Sequence, residues 1–238
     1  MTRKMKIIAL TGAGVSAESG LKTFRDSDGL WEGHDVYSVA TPEGFEANPR
    51  LVIDFYNERR RQAQNAAPNA AHLALARLQQ AADVWFVTQN IDDLHERAGS
   101  RKVLHLHGQL NKLRSVDDES YVIDWSGDQP YDLKDPAGHP MRPFVVWFGE
   151  PVPNIAAAFD LMRDADAAIV VGTSMVVQPA ASLIYAAPSN CEVHCVDPRA
   201  LDLSLPQGAG AKTELIAAPA TQGVPQVVDK LIERLSRL

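Results

Sequence analysis

The chain has 238 residues, 45% apolar and 22% charged, with 30 acidic against 23 basic side chains and a net charge of −7. That length suits one large α/β domain, or a main domain with a smaller insertion, and the apolar share can build a full core. The acids are spread along the chain, which excludes a nucleic-acid footprint, and no run approaches the roughly 18 apolar residues of a membrane span. The charged start Arg3-Lys4-Met5-Lys6 leads an apolar run that stops at Leu10, too short for a secretory signal. Cys191 and Cys195 stand four apart in a predicted strand and read as small packed hydrophobes rather than a disulfide or metal pair. The chain therefore reads as cytoplasmic, and we take it as a monomer.

Apolar, β-branched runs bounded by polar turns predict buried parallel strands at Met5–Leu10, Val84–Thr88, Val103–Leu106, Ala167–Val171, Glu192–Val196 and Thr213–Ala217. Helical patterns alternate with them. Pro49–Arg61 begins after Asn48, a suitable N-cap, with proline at the first helical position. Asn69–Gln80 carries Leu73, Ala76 and Leu78 on an apolar side; Ile155–Arg163 and Pro179–Ala186 follow. Val224–Leu235 sets Val224, Val228, Leu231 and Leu235 on one stripe. This alternation predicts a Rossmann-like parallel sheet with helices on both faces and ligands at the carboxyl ends of its strands. Residues 29–75, mainly helical, and 109–143, polar with a β ribbon within Val116–Trp125, break the alternation. They read as insertions forming a small lobe beside a large one of about residues 1–28, 76–108 and 144–238. The run Arg59-Arg60-Arg61 alone reads as a solvated helix face.

The strand carboxyl ends carry the chemistry. After the first strand, Gly12-Ala13-Gly14-Val15-Ser16-Ala17 fits the glycine/alanine form of the dinucleotide fingerprint, whose peptide N–H groups face a phosphate at a helix start. Thr23-Phe24-Arg25 comes next, with an arginine suited to a pyrophosphate or to holding a loop. The second strand ends in Gln89-Asn90-Ile91-Asp92-Asp93-Leu94-His95. There an amide and a carboxylate suit a carboxamide and a ribose hydroxyl, although Asp92 and Asp93 equally suit helix caps. In Leu104-His105-Leu106-His107-Gly108 the two histidines share one side of a strand, and His107 stands where a general base belongs. Gly172-Thr173-Ser174 is a second strand-to-turn junction.

Taken in order, GAGVSAESG, TFR, QNIDDLH, HLHG, VVWFGE and GTS…PA resemble the sirtuin family of NAD-dependent protein deacylases over nearly the whole chain. The resemblance implies NAD across the sheet, its pyrophosphate on the turn Gly12–Ser16 with Ala13, Gly14 and Ala17, and further contacts from Thr23, Phe24, Arg25, Gln89 and Ile91. Asn90 and Asp92 would position the nicotinamide ribose and carboxamide, and His107 would act as general base on a ribose hydroxyl. Gly172, Thr173 and Ser174 would face the adenosine side. The products would be free lysine, nicotinamide and O-acyl-ADP-ribose. Val146, Phe148, Gly149 and Glu150 on one side, Met175 and Val176 on the other, would form the edges between which an acyl-lysine peptide adds as a strand.

Tyr56 and Arg59, three apart on a helix, project from one face, and a phenol beside a guanidinium suits a carboxylate at the end of an acyl chain. In the family, this Tyr-x-x-Arg resembles the desuccinylase and demalonylase class. The chain also departs from the family. Sirtuins usually carry two CxxC pairs after the catalytic histidine, whereas Gln109–Pro143 has no cysteine and only His139, so no zinc is expected. The lobe would then be held by packing around Leu113, Val116, Tyr121, Ile123 and Trp125. Lys22 stands where proline is frequent, Asp197 about where an asparagine meets the adenosine ribose, and Ala220 near the last adenine contact. Three other readings stay open. An NAD glycohydrolase or ADP-ribosyltransferase would share the nicotinamide cleavage, a non-catalytic module would sense NAD, and a nucleotide-fold oxidoreductase lacks any matching hydride-acceptor site.

Overall fold

The computed structural model describes residues 3–22, 30–31, 33–202 and 212–237. Strand β1 (Lys6–Thr11) runs into the single-turn helix α1 (Gly14–Ala17), and a short hairpin, β2 (Leu30–Trp31) and β3 (His34–Asp35), leads to α2 (Val36–Val39), α3 (Pro42–Ala47) and α4 (Pro49–Asn65). Next come α5 (Ala70–Leu78), β4 (Asp83–Thr88), α6 (Leu94–Arg97) and β5 (Val103–His105). Three antiparallel strands follow, β6 (Gly108–Ser115), β7 (Val122–Asp124) and β8 (Met141–Val145), and then α7 (Ile155–Arg163) and β9 (Ala167–Val171). A 3-10 helix (Ala180–Ala186), β10 (Glu192–Val196), β11 (Lys212–Ile216) and α8 (Ala220–Ser236) complete the order.

The six predicted strands are all present and parallel, in the order β11-β10-β9-β1-β4-β5. Their near-continuous apolar sequence follows from burial on both faces. Ile7 and Ala9 of β1 face a core shared with α5 and α8, while Ile8 and Leu10 face a second core with α7 and the 3-10 helix. Cys191 and Cys195 are free and fully buried in that second core. Because β9 returns beside β1 on the side away from β4, the order reverses next to β1, and a crevice opens there at the strands' carboxyl ends.

Helix α8 buries Val224, Val227, Val228 and Leu231 as its stripe requires. Four such side chains, at roughly 1.5–3 kcal/mol each, outweigh the about 3 kcal/mol cost of its interior Pro225. Of the apolar side predicted for the preceding helical pattern, Leu78 is buried but Leu73 is not. Leu73 is 54% exposed, and α5 buries Ala71, His72, Ala74, Leu75 and Leu78 against the large sheet and α8. The phase is set by Asn69, whose side chain caps the Ala71 and His72 N–H groups while the His72 ring accepts from the Asn69 N–H. Helix α5 thus packs with the large sheet.

The small lobe combines α2–α4 with the sheet β7-β6-β8, around Val39, Val52, Phe55, Tyr56, Leu110 and Trp147. Of the five residues expected to hold its sheet, only Leu113 is fully buried; Val116 is 38% exposed, and Tyr121, Ile123 and Trp125 are half-buried. A three-stranded sheet this small leaves one face open, and buried polar groups supply the missing hold. Asn57 of α4 accepts from the Gln129 N–H (2.8 Å) and from Arg60 Nη1 (2.6 Å), and donates to the Gln129 carbonyl. Arg60 Nε reaches the Leu110 carbonyl at 2.7 Å. Arg60 is therefore buried, 2% exposed; Arg59 is buried as well (7%), and of the three only Arg61 lies on a solvated face. At the far end of the lobe Ser115 Oγ donates to Asp135 (2.7 Å), which also accepts from the His139 N–H. These bonds outweigh burial and hold the Asp135 carboxyl down at about 2.

Candidate active site

A cleft of about 500 Å³ runs along the strand carboxyl ends, from the end of β10 across β1 to helix α4. Its walls include Gly12, Ala13, Gly14, Ser16, Ala17, Gln89, Asn90, Ile91, Asp92, His107, Gly172, Thr173, Ser174, Asp197 and Ala220, together with Tyr56, Arg59, Val146, Phe148, Gly149 and Glu150. Residues from eight separate stretches of sequence thus meet in one space. Thr23, Phe24 and Arg25 lie outside the described residues. Met175 and Val176 do not line the cleft: Met175 (φ 55°) packs against the second core, and Val176 is 72% exposed.

The glycine turn has a different reason from the one its sequence suggests. A Cβ on Gly14 would stand 2.6 Å from the Gly172 Cα, and one on Gly12 2.8 Å from the Gly172 carbonyl oxygen. The two strand-to-turn junctions pack backbone on backbone, which only glycine permits. The N–H groups of Gly12, Gly14, Val15 and Ser16 already donate to Val171, Gly172, Gly12 and Ala13 carbonyls. Among the described residues, nothing accepts from the Ala13 N–H, and Ala13 lines the cleft.

Behind that turn lies a chain of polar contacts. Asn90 Nδ2 donates to Ser16 Oγ (3.1 Å), which donates to Asp92 Oδ2 (3.1 Å), and Asp92 Oδ1 accepts from the Leu94 N–H (3.1 Å). Asp92 is therefore both a cap and a wall of the cleft, and burial raises its pKa against those hydrogen bonds. His72 and His95 pack ring to ring at 5.0 Å below it, and burial pushes them down to about 4 and about 3, so both are neutral spacers.

His107 Nδ1 lies 3.0 Å from the Gln89 carbonyl oxygen, which only accepts, so Nδ1 carries the hydrogen and Nε2 the lone pair. Burial lowers the His107 pKa, opposed by that bond, and keeps the ring neutral near pH 7. Gln89 Nε2 donates to Thr173 Oγ1 (3.0 Å), joining the carboxyl ends of β4 and β9. Asp197 is buried, and one of its oxygens accepts from the Arg199 N–H.

At the other end Tyr56 is fully buried, and burial pushes its phenol pKa well up. Its oxygen accepts from Trp147 Nε1 at 2.9 Å, so the phenol hydrogen remains to donate. Arg142 stacks on the Trp147 ring (3.2 Å to the centroid) and grips Glu150 with two nitrogens. Burial works against the Glu150 charge, but Arg142 and the Trp147 N–H hold its pKa low. Glu150 thus fixes the strand end. Trp147, Leu110 and Ala63 line this end and were missed as site residues, although Trp147 sits inside the motif VVWFGE. Among the described residues, no group of three or more His, Cys, Asp or Glu side chains is placed to hold a metal ion.

A sequence model described as the Sir2 family matches residues 12–179. The chain belongs to the Sir2 family. A relative from Helicobacter pylori, named an NAD-dependent protein deacylase, is 47% identical over 97% of this chain and 99% of its own. Relatives of the same name from Shigella flexneri (48% over 98% and 86%) and Aggregatibacter actinomycetemcomitans (51% over 80% and 92%) are similar. Among solved structures, a Sir2 homologue in complex with NAD is 37% identical with a TM-score of 0.83, over 98% of this chain and 90% of that one. A Sir2 structure bound to a myristoylated histone peptide is 31% identical with a TM-score of 0.72, over 99% and 94%. The Sir2 fold therefore accounts for both the parallel sheet and the small antiparallel lobe. No described helix is long and apolar enough to cross a membrane.

Proposed function

We propose that this Sir2-family enzyme, an NAD-dependent protein deacylase, prefers lysines carrying acyl chains that end in a carboxylate, succinyl or malonyl, and accepts acetyl-lysine less well. The observation that carries the preference is the pairing of Tyr56 and Arg59 in the wall of the same cleft as His107. With its oxygen occupied by Trp147, the Tyr56 phenol is left as a donor, and a guanidinium beside it can take a carboxylate through two parallel bonds. Charge-assisted bonds of this kind contribute about 1.5–3 kcal/mol, which sets the scale of discrimination against a neutral acyl group.

NAD is the cofactor, and the polar groups lining the cleft fit it: a buried carboxylate to accept from ribose hydroxyls at Asp197, an amide and a carboxylate at Asn90 and Asp92, and the Ala13 N–H as a donor. Bound NAD supplies the electrophilic ribose carbon and the hydroxyl that accepts the acyl group. On this reading Gly12, Ala13, Gly14, Ser16, Ala17, Gln89, Ile91, Gly172, Thr173, Ser174 and Ala220 shape the dinucleotide's bed. Thr23, Phe24 and Arg25 belong to the same role by sequence. His107 Nε2 takes a proton from a ribose hydroxyl, its ring held by the Gln89 carbonyl. Val146, Phe148, Gly149 and Glu150 form the edge along which the peptide lies, and the segment after β9, through Ser174 and Val177, forms the facing one. We read the protein as a zinc-free, cytoplasmic monomer, supported by the cysteine-free stretch 109–143 and two buried free thiols.

Peptides bearing succinyl-, malonyl- and acetyl-lysine, incubated with NAD and followed by mass spectrometry, test the preference. The Arg59→Met variant is expected to lose at least tenfold in desuccinylation and less than threefold in deacetylation. Equal losses on both would refute the carboxylate role. Nicotinamide release that is no faster with acylated peptide than without would instead favour an NAD glycohydrolase.

A further inference from the structure

The loop after β4 is stitched to the chain's next two strands by four successive carbonyls. Thr88 O accepts from the Leu106 N–H, Gln89 O from His107 Nδ1, Asn90 O from a ring nitrogen of His105, and Ile91 O from the Leu110 N–H. Two of these donors are peptide groups and cannot titrate. The other two are histidines, and the one outside the cleft has a particular electrostatic position. His105 is buried, with Nδ1 3.0 Å from the Asn90 carbonyl oxygen and Nε2 2.7 Å from the Glu96 carboxylate. Both partners are acceptors only when Glu96 is ionised, so both ring nitrogens carry hydrogens and the ring is a cation.

We propose that His105, as an imidazolium bridging the Asn90 carbonyl and the Glu96 carboxylate, is a positioning residue that holds the Asn90–Asp92 segment against the cofactor cleft. This rests on reading Asn90 and Asp92 as cofactor-facing. The bridge ties the loop to α6, and its own strand is tied in turn by Asn154, which donates to the His105 carbonyl (2.9 Å). A neutral ring would keep one of the two bonds and release the other. The charged and titratable groups facing His105 are Glu96 and His95 on α6 and Asp92 on the loop, with Asp93 acting on Asp92. Burial opposes the imidazolium, but Glu96 outweighs it and moves the His105 titration above the ordinary 6.5. As pH rises through this raised pKa the bridge is lost, so kcat/KM for NAD should fall on the alkaline side.

The test begins on the unmodified protein with 15N-labelled histidine. Nuclear magnetic resonance should show both His105 nitrogens protonated at pH 7, assigned by comparison with His105→Gln. A His105 with a single protonated nitrogen at pH 7 overturns the proposal whatever the activity. His105→Gln, which keeps one donor without charge, should lower kcat/KM for NAD about tenfold and abolish the alkaline fall. Glu96→Gln should move that fall toward pH 6.5 and His105's titration with it. Rates within twofold of wild type and an unmoved alkaline limb in both variants would sink the idea. Asn90→Ala separates it from its parent reading: undiminished turnover there would remove the role of the loop itself, not only of His105.

Discussion

At His107 one hydrogen bond decides which nitrogen is the base, and burial decides when that base is available. Because its pKa is lowered from 6.5, the ring is neutral at and somewhat below that pH and gains its proton only as pH falls further. The acid limb of kcat/KM should therefore lie below pH 6.5, and an acid limb centred above it would contradict the assigned environment. His107→Ala should remove deacylation by 10²-fold or more, the scale of a lost general base. The residue's position before glycine was legible; the expected shared side with His105 was not met, since β5 ends at His105 and, of the two, His107 lines the cleft. The need for glycine at Gly12 and Gly14 was legible too, but not its cause. Proximity of Gly172 is a contact between residues about 160 apart, and no local pattern contains it. Gly172 itself has φ +58° and would set a Cβ against the Gly14 and Val15 backbone. Gly172→Ala is expected to lower the Tm by several degrees and to abolish NAD binding by calorimetry; a wild-type Tm would show that the two turns can part.

Among the elements, α4 does two jobs with neighbouring residues. Tyr56 and Arg59 face the cleft, while Asn57 and Arg60 clamp the polar lobe. Amphipathic spacing predicted the first pair. It could not predict the second, since buried arginines are stable only where specific carbonyls and amides meet them, here Leu110 O and Asn57 Oδ1. Asn57→Ala would leave the Gln129 N–H and Arg60 without their partner, at about 1–3 kcal/mol for each unsatisfied group. Urea unfolding of this variant should show a stability loss of about 2 kcal/mol or more; an unchanged midpoint would mean that the clamp is dispensable. The partly misassigned face of α5 has the same origin. Four alanines make its pattern ambiguous, and the Asn69 cap together with the contact to α8 chose the phase.

Over the whole molecule, the small lobe's hold is the sharpest question. Its sheet is joined by Ser115–Asp135–His139 at one end and by Asn57–Gln129–Arg60 at the other. If these bonds suffice, prolonged treatment with a strong chelator should leave both Tm and turnover unchanged, and elemental analysis should find no stoichiometric zinc. A chelator-dependent fall in Tm would show that a metal completes the lobe.

The order of apolar strands and helices, the residues at each strand's carboxyl end and the tyrosine–arginine spacing all follow from local pattern, because burial and helix or strand period act over a few residues. From these the parallel sheet was legible, while the family came from the resemblance of the ordered motifs and not from the pattern. What only the tertiary structure decided are the long-range pairings: glycine against glycine, tryptophan against the phenol, an imidazole between a carbonyl and a carboxylate. Each depends on distances between segments far apart in the chain, and such distances come into being only when the sheet has closed.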